Sequence, residues 1–224
     1  MSQPTILVFA SGTATGGGSG FEKLVESIGL GVLDANIVGV VSNHEQGGVR
    51  SLADKFHIPF YFFLNTDSTE CYQQIATDSD ADFFALSGWI KYVKGLNLAT
   101  RFNPRTVFNI HPGLLPGFGG KGFHGHHVHK AVMEAFGRGE VKHSAVCMHF
   151  ATDGYDEGPV FFRHAVAIRD TDTPDSLGKR VNRFEHMYQP YITNLVVHEK
   201  IRWDGVDPAS LVVPNGYEID RSER

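Results

Sequence analysis

The chain is poor in what several function classes require. Its two cysteines, Cys71 and Cys147, form no CxxC pair and no ligand cluster. That excludes a disulfide framework and suits a reducing compartment. No apolar run approaches the roughly 20 residues that a membrane helix needs, and the opening Met-Ser-Gln-Pro has neither the charged nor the apolar region of a secretory signal. An excess of basic residues is missing as well: 20 Lys and Arg stand against 25 Asp and Glu, for a net charge of −5. A phosphate backbone needs a basic surface, so neither nucleic acid nor a membrane is an expected partner. There is no GxSxG elbow, no GxxxxGK[ST] loop and no clean GxGxxG, so a serine nucleophile, a nucleoside triphosphate and a dinucleotide are not indicated. These absences give the expectation of a cytoplasmic protein.

What remains is a globular composition. Hydrophobic residues make up 42% and charged residues 20% of 224, which fits one α/β domain with a packed core. Thr5 to Ala10 is an uninterrupted apolar run, as in a central parallel strand. The glycine-rich stretch from Ser11 to Gly20 follows, and Phe21, Leu24, Val25 and Ile28 then fall at helical spacing. A strand, a glycine-rich turn and a helix point backbone N–H groups at a phosphate. A flexible linker has the same composition, but would be out of place between a first strand and its helix.

Further strands are expected over Asn36 to Ser42, Phe60 to Leu64, Ala81 to Leu86 and Thr106 to Ile110. Helices are expected over Gly47 to His57 and, capped by Asp67, to about Thr77. The alternation predicts a parallel, doubly wound sheet in a single domain, mostly parallel overall, with helices on both faces. Its first half, to about residue 105, is expected to bind phosphate. Residues 106–200 would carry the catalytic and donor-binding groups, and 201–224 a tail ending as a hairpin. Later elements are strands over Ser144 to Ala151 and Val160 to Ile168. A long helix from Pro174 to about Glu199 is opened by Thr173, and Pro190 should kink it.

The candidate chemistry gathers at Val107-Phe-Asn-Ile-His-Pro-Gly-Leu-Leu-Pro116. Pro112 cannot continue a central ladder, so Asn109 and His111 end a strand. Residues two apart on an extended backbone point the same way, so an amide and an imidazole project together at the ligand-facing edge of an α/β sheet. Asp156, in an Asp-Gly-Tyr-Asp-Glu-Gly loop, is the candidate carboxyl, with a pKa expected to rise if the site is dry. An amide donor, an imidazole and a carboxyl without a protein nucleophile suit direct acyl transfer to an amine. Spacing alone does not bring Asp156 to His111. Seven of the twelve histidines lie between His111 and His149. His126 and His129 could share a helix face, but no carboxylate or cysteine at ligand spacing joins them, so no metal is expected.

Asn-Ile-His-Pro-Gly-Leu-Leu-Pro (109–116), together with His149-Phe-Ala-Thr-Asp-Gly-Tyr-Asp156-Glu-Gly-Pro-Val160, resembles the folate-dependent formyltransferases over Ile6 to about Val197. The resemblance implies a Rossmann-like formyltransferase fold and formyl transfer from 10-formyltetrahydrofolate to the amine of glycinamide ribonucleotide, without a covalent enzyme intermediate. A sugar-nucleotide amine is the alternative acceptor. It implies Asn109, His111 and Asp156 as the catalytic centre. It places the folate against Leu86, Gly88, Ile90, Lys91, Tyr92, Val93, Asn109, Thr152 and Asp153. The acceptor would meet Gly18, Ser19, Gly20, Pro112 and Glu185, and the Leu115–Pro116 bond would be cis. The family's phosphate turn is here lengthened by about four residues, Gly20 replaces its asparagine, and Thr69 stands where an arginine often meets the folate. Members of the family with an added regulatory or tRNA-binding domain are not expected to include this chain, and a monomer or weak homodimer is.

Overall fold

A computed structural model describes residues 2–222. Eight strands form one sheet in the order β3-β2-β1-β4-β5-β6-β7-β8. The strands are β1 (Thr5–Phe9), β2 (Asn36–Ser42), β3 (Phe60–Phe62), β4 (Phe83–Ser87), β5 (Val107–His111), β6 (His143–Phe150), β7 (Val160–Ala167) and β8 (Asp220–Ser222). The first five are parallel; β6 is antiparallel to both its neighbours, and β8 is parallel to β7. The helices are α1 (Ser19–Gly29), α2 (Gly48–Phe56), α3 (Thr69–Ser79), α4 (His126–Gly137) and α5 (Pro174–Val197).

The apolar run of β1 explains how both sheet faces are covered. Ile6 and Val8 enter the core beneath α1, α4 and α5, while Leu7 and Phe9 enter a second core on the opposite face. That second core is aromatic. Phe9 packs against Phe63, Tyr72, Trp89 and Phe102 at centroid distances of 5.4–6.5 Å. Trp89 Nε1 donates to the Tyr72 hydroxyl at 3.1 Å, and that hydroxyl donates to Tyr92 O at 3.1 Å. Helix α3 thereby anchors the segment after β4 that borders the site.

Two elements, the cap of α3 and the tail, differ from the sequence-based expectation for identifiable reasons. Ser68, not Asp67, caps α3, its hydroxyl accepting from Cys71 N at 3.2 Å; both residue types suit the position. Helix α5 includes Pro190 within one continuous 24-residue helix. The tail is not a hairpin. Arg202 and Val212 form a lone antiparallel bridge around a turn of 3₁₀-helix at Pro208–Ser210, and β8 then extends the sheet. Its polar residues carry no alternation to read, as befits an edge.

Helix α5 begins as the sequence predicts. Thr173 accepts from Ser176 N at 3.2 Å while Ser176 Oγ accepts from Thr173 N at 2.9 Å, with Pro174 following the cap. Thr173→Ala should therefore cost about 1 kcal/mol, read as a lower denaturation midpoint at unchanged slope.

Candidate active site

The parallel strands β1, β4 and β5 are neighbours, so their C-terminal ends open on one crevice. A cavity of about 1020 Å³ occupies it. One wall comprises the glycine stretch (Ser11 to Thr13, Gly17, Gly18) and the α5 residues Gly178, Lys179, Asn182 and Glu185. The other is built from Leu86, Gly88 to Val93 and the loop after β6. The glycine stretch and the β4 segment are stitched together: Ser11 N donates to Gly88 O at 3.1 Å, and Ile90 N donates to Ser11 Oγ at 3.1 Å.

Asn109 and His111 emerge on the same side of β5, and Asp156 folds back to meet them. The loop after β6 leaves beside Val107, whose carbonyl accepts from Ala151 N at 2.9 Å. It returns so tightly that a Cβ on Gly158 would lie 1.8 Å from Phe150 O. Asp156 itself sits at φ +55°, a left-handed conformation that Asp tolerates better than most residues. Its Oδ1 accepts from Asn109 Nδ2 at 3.3 Å, and its Oδ2 accepts from Gly120 N at 2.9 Å.

Two imidazoles face this carboxyl, where the sequence pointed to one. His111 Nδ1 is 3.7 Å from Asp156 Oδ2, and His149 Nε2 is 3.3 Å from Oδ1. His111 Nε2 lies 2.7 Å from Phe118 O, and His149 Nδ1 lies 2.8 Å from Phe150 O. A carbonyl can only accept, so those nitrogens carry hydrogen. The other nitrogen of each ring therefore points at the carboxyl, with Asn109 Nδ2 also 3.1 Å from His149 Nε2. Between His111 Nδ1 and Asp156 Oδ2 there is room for one proton, which the two groups can share. Burial pushes the His111 pKa below its ordinary value, against the opposing pull of Asp156 and Phe118 O.

Asp156 departs from expectation in sign. Burial pushes its pKa up, but His149, His111 and Gly120 N–H outweigh this and hold it below the usual carboxylate range. It is therefore an ionised carboxylate at neutral pH, ready to receive a proton. His149 was present in the sequence only as part of a motif. The signal that assigns it a place is register: it pairs directly with Asn109 across β5 and β6.

The other candidates divide. Leu86, Gly88, Ile90, Lys91, Tyr92, Val93, Thr152, Gly18, Pro112 and Glu185 line the cavity. Ser19, Gly20 and Asp153 do not. Ser19 opens α1 and its Oγ lies 3.1 Å from His186 Nε2. Gly20 packs so closely on β4 that a Cβ there would sit 2.2 Å from Ser87 Oγ, and the Asp153 carbonyl accepts from the Tyr92 hydroxyl. The Leu115–Pro116 bond is cis. Among the described residues no group of three or more His, Cys, Asp or Glu is arranged to hold a metal, and no helix is long and apolar enough to cross a membrane.

This mostly parallel sheet, with an amide and an imidazole on β5, a second imidazole on β6 and a carboxylate in the loop beyond it, has the Rossmann-like formyltransferase fold. Residues 5–193 match the family model described as formyl transferase, and the chain belongs to that family. It is 34% identical over 201 residues to the chloroplastic phosphoribosylglycinamide formyltransferase of Arabidopsis thaliana, covering 86% of this chain and 67% of that one. Against the phosphoribosylglycinamide formyltransferase of Bacillus subtilis it is 29% identical over 185 residues, covering 80% of this chain and 89% of the other. The crystal structure of phosphoribosylglycinamide formyltransferase from Anaplasma phagocytophilum superposes over 100% of both chains with a TM-score of 0.79 at 24% identity, a likeness of fold.

Proposed function

We propose that the protein transfers a formyl group from 10-formyltetrahydrofolate to the amine of glycinamide ribonucleotide, a step of purine biosynthesis. The observation that carries the reading is the Asp156 carboxyl, 3.7 Å from His111 Nδ1 and 3.3 Å from His149 Nε2, beside the Asn109 amide in the wall of a cavity of about 1020 Å³. The acceptor amine attacks the formyl carbon. Asn109 Nδ2 donates to the oxygen anion of the tetrahedral intermediate, and His111, neutral at rest, becomes cationic beside it as the amine's proton enters the set it shares with Asp156. The amine's proton passes to Asp156 and on to N10 of the folate, the C–N10 bond breaks, and tetrahydrofolate leaves with the formyl amide as the other product. Every proton lost by the amine is gained by the leaving group, so no metal or nucleotide is consumed.

In this reading the folate lies against Leu86, Gly88 to Val93 and Thr152. The acceptor's phosphate lies at the backbone of Gly17 and Gly18, where α1 begins without a side-chain cap. Residues up to about 105 then serve the phosphate and residues 106–200 the chemistry. Assay with 10-formyltetrahydrofolate and, in parallel, glycinamide ribonucleotide or an amino-sugar nucleotide tests it. Formylation of the ribonucleotide is expected; formylation of the sugar nucleotide alone would overturn the acceptor assignment.

Glu185 extends the test. It is half-buried on α5, desolvation raises its pKa to about 6, and a hydrogen bond from Asn182 Nδ2 at 3.1 Å opposes that rise. Ionised, it accepts from the acceptor's hydrogen-bond donors; protonated, it loses that capacity. The acceptor KM should rise as pH falls through about 6, with the folate KM flat. Glu185→Gln should hold the acceptor KM at the raised value across the range. A Gln variant with the wild-type profile would remove Glu185 from the acceptor site.

A further inference from the structure

Four strands share one transverse row. His111 of β5 sits opposite Cys147 of β6, Cys147 opposite Arg163 of β7, and Arg163 opposite Asp220 of β8. Residues paired across a sheet present their side chains to the same face. The row thus runs from an imidazole of the site to the last strand of the chain. Arg163 is its pivot. One arm of its guanidinium pairs with Asp220 Oδ1, and the other, Nη2, donates to Leu115 O at 3.1 Å. Leu115 is buried against Ala145 and Cys147, so the loop crosses back over the row at that point.

Beyond Leu115, that same loop supplies the two backbone groups that orient the site. Phe118 O receives the His111 Nε2 hydrogen, and Gly120 N donates to Asp156 Oδ2. The turn between is closed by Phe118 N donating to Leu114 O at 2.8 Å. Its fit is close: a Cβ on Gly119 would lie 2.4 Å from Leu115 Cδ2 and 3.0 Å from Asp156 Cβ. A displaced Leu115 therefore displaces Phe118 and Gly120 with it.

We propose that Arg163 is a positioning residue for the transfer reaction: by holding the Leu115 carbonyl it fixes the 112–120 segment, and through it the backbone partners of His111 and Asp156, while Asp220 of the last strand aims the guanidinium. The inference rests on the acyl-transfer reading of the site. A fork with donors in fixed directions is what two partners on different strands require, and the single ammonium of lysine does not supply it. The groups facing the Asp156 carboxyl are Asn109 and His111 from β5, His149 from β6 and Gly120 N–H from the segment. Of these, His111 stands in the row itself, and the last belongs to the segment that Arg163 holds at Leu115.

The test uses Arg163→Met, Arg163→Lys and Asp220→Asn in the full chain. Misplacing a reacting geometry by an ångström costs on the order of 10²-fold, so Arg163→Met should lose about that in kcat with both KM values within about threefold. The acid limb of its kcat profile should move to higher pH, because Asp156 gives up the Gly120 donor. Arg163→Lys should restore part of kcat, and Asp220→Asn, at the sheet edge, should lose a smaller factor with the limb moved the same way. Variants that melt earlier yet keep the wild-type kcat and limb would overturn the proposal. Should Arg163→Met fail to fold, Asp220→Asn decides by the same two readouts. The His111 imidazole resonance, recorded without substrates, separates this failure from that of the functional reading. It shifts in Asp220→Asn if the row positions the ring, whatever the enzyme acts on; an unmoved resonance counts against the row alone.

Discussion

Asp156→Asn should lower kcat by about 10²- to 10⁴-fold, the range that a positioned proton acceptor contributes, while the chain folds and binds folate as before. The replacement keeps the shape of the side chain. An amide oxygen in place of Oδ2 still accepts from Gly120 N, and an amide nitrogen in place of Oδ1 faces His149 Nε2 while giving up the bond from Asn109 Nδ2. What disappears is the capacity to take a proton. The two KM values should therefore stay close to wild type and the loss should appear equally in kcat and kcat/KM, the mark of an interaction made in the transition state.

The pH dependence carries a second check. In the folded protein Asp156 is held below the usual carboxylate range and His111 below its ordinary value, so the wild-type acid limb lies on the acid side of a normal histidine. The Asp156 carboxylate pulls the His111 pKa up against burial; without it that pKa falls further, and the residual activity should keep its plateau to lower pH. Stability follows the same linkage. A carboxyl with a depressed folded pKa contributes above its unfolded value and loses that contribution as pH falls through the folded one, so Asp156→Asn should flatten the acid side of the stability profile. Turnover near wild type would remove Asp156 from proton transfer.

The two ends of the site differed in how legible they were. Strand β2 occupies Asn36–Ser42 as its apolar pattern indicates, and the common orientation of Asn109 and His111 follows from the two-residue period of a strand closed by Pro112. The meeting with Asp156 does not follow from any local pattern. It depends on the near-contact of Gly158 with Phe150 O and on a left-handed backbone at Asp156, both set by the path of one loop. His149 was hidden for a related reason. Its partnership with Asn109 exists because β6 runs antiparallel to β5, and the alternation of strands and helices up to β5 points to parallel neighbours. The expected sign of the Asp156 shift failed because burial is visible as an apolar surround, whereas the opposing imidazoles and backbone N–H come from three separate segments. Strand β8, polar and three residues long, carries no periodicity, yet it supplies the carboxylate that holds Arg163.

Asn109→Ala should cost about 10²- to 10³-fold in kcat, the loss seen when one preorganised donor to a developing oxyanion is removed. Its signature should differ from that of Asp156→Asn. The amide donates to Asp156 Oδ1 at 3.3 Å, so its loss should move the acid limb to higher pH, opposite to the move expected for Asp156→Asn. Asn109→Asp should be worse than Ala, because a second carboxylate 3.3 Å from Asp156 Oδ1 sets like charges side by side and raises the pKa of the acceptor. The combination Asn109→Ala with Asp156→Asn tests whether the groups act as one unit. Their side chains share a hydrogen bond and both touch His149, so the double variant should be less impaired than the product of the single losses. A loss under tenfold for Asn109→Ala, or strict multiplicativity in the double variant, would mean that the amide only spaces the carboxylate from the ring and that the oxyanion is stabilised elsewhere in the cavity.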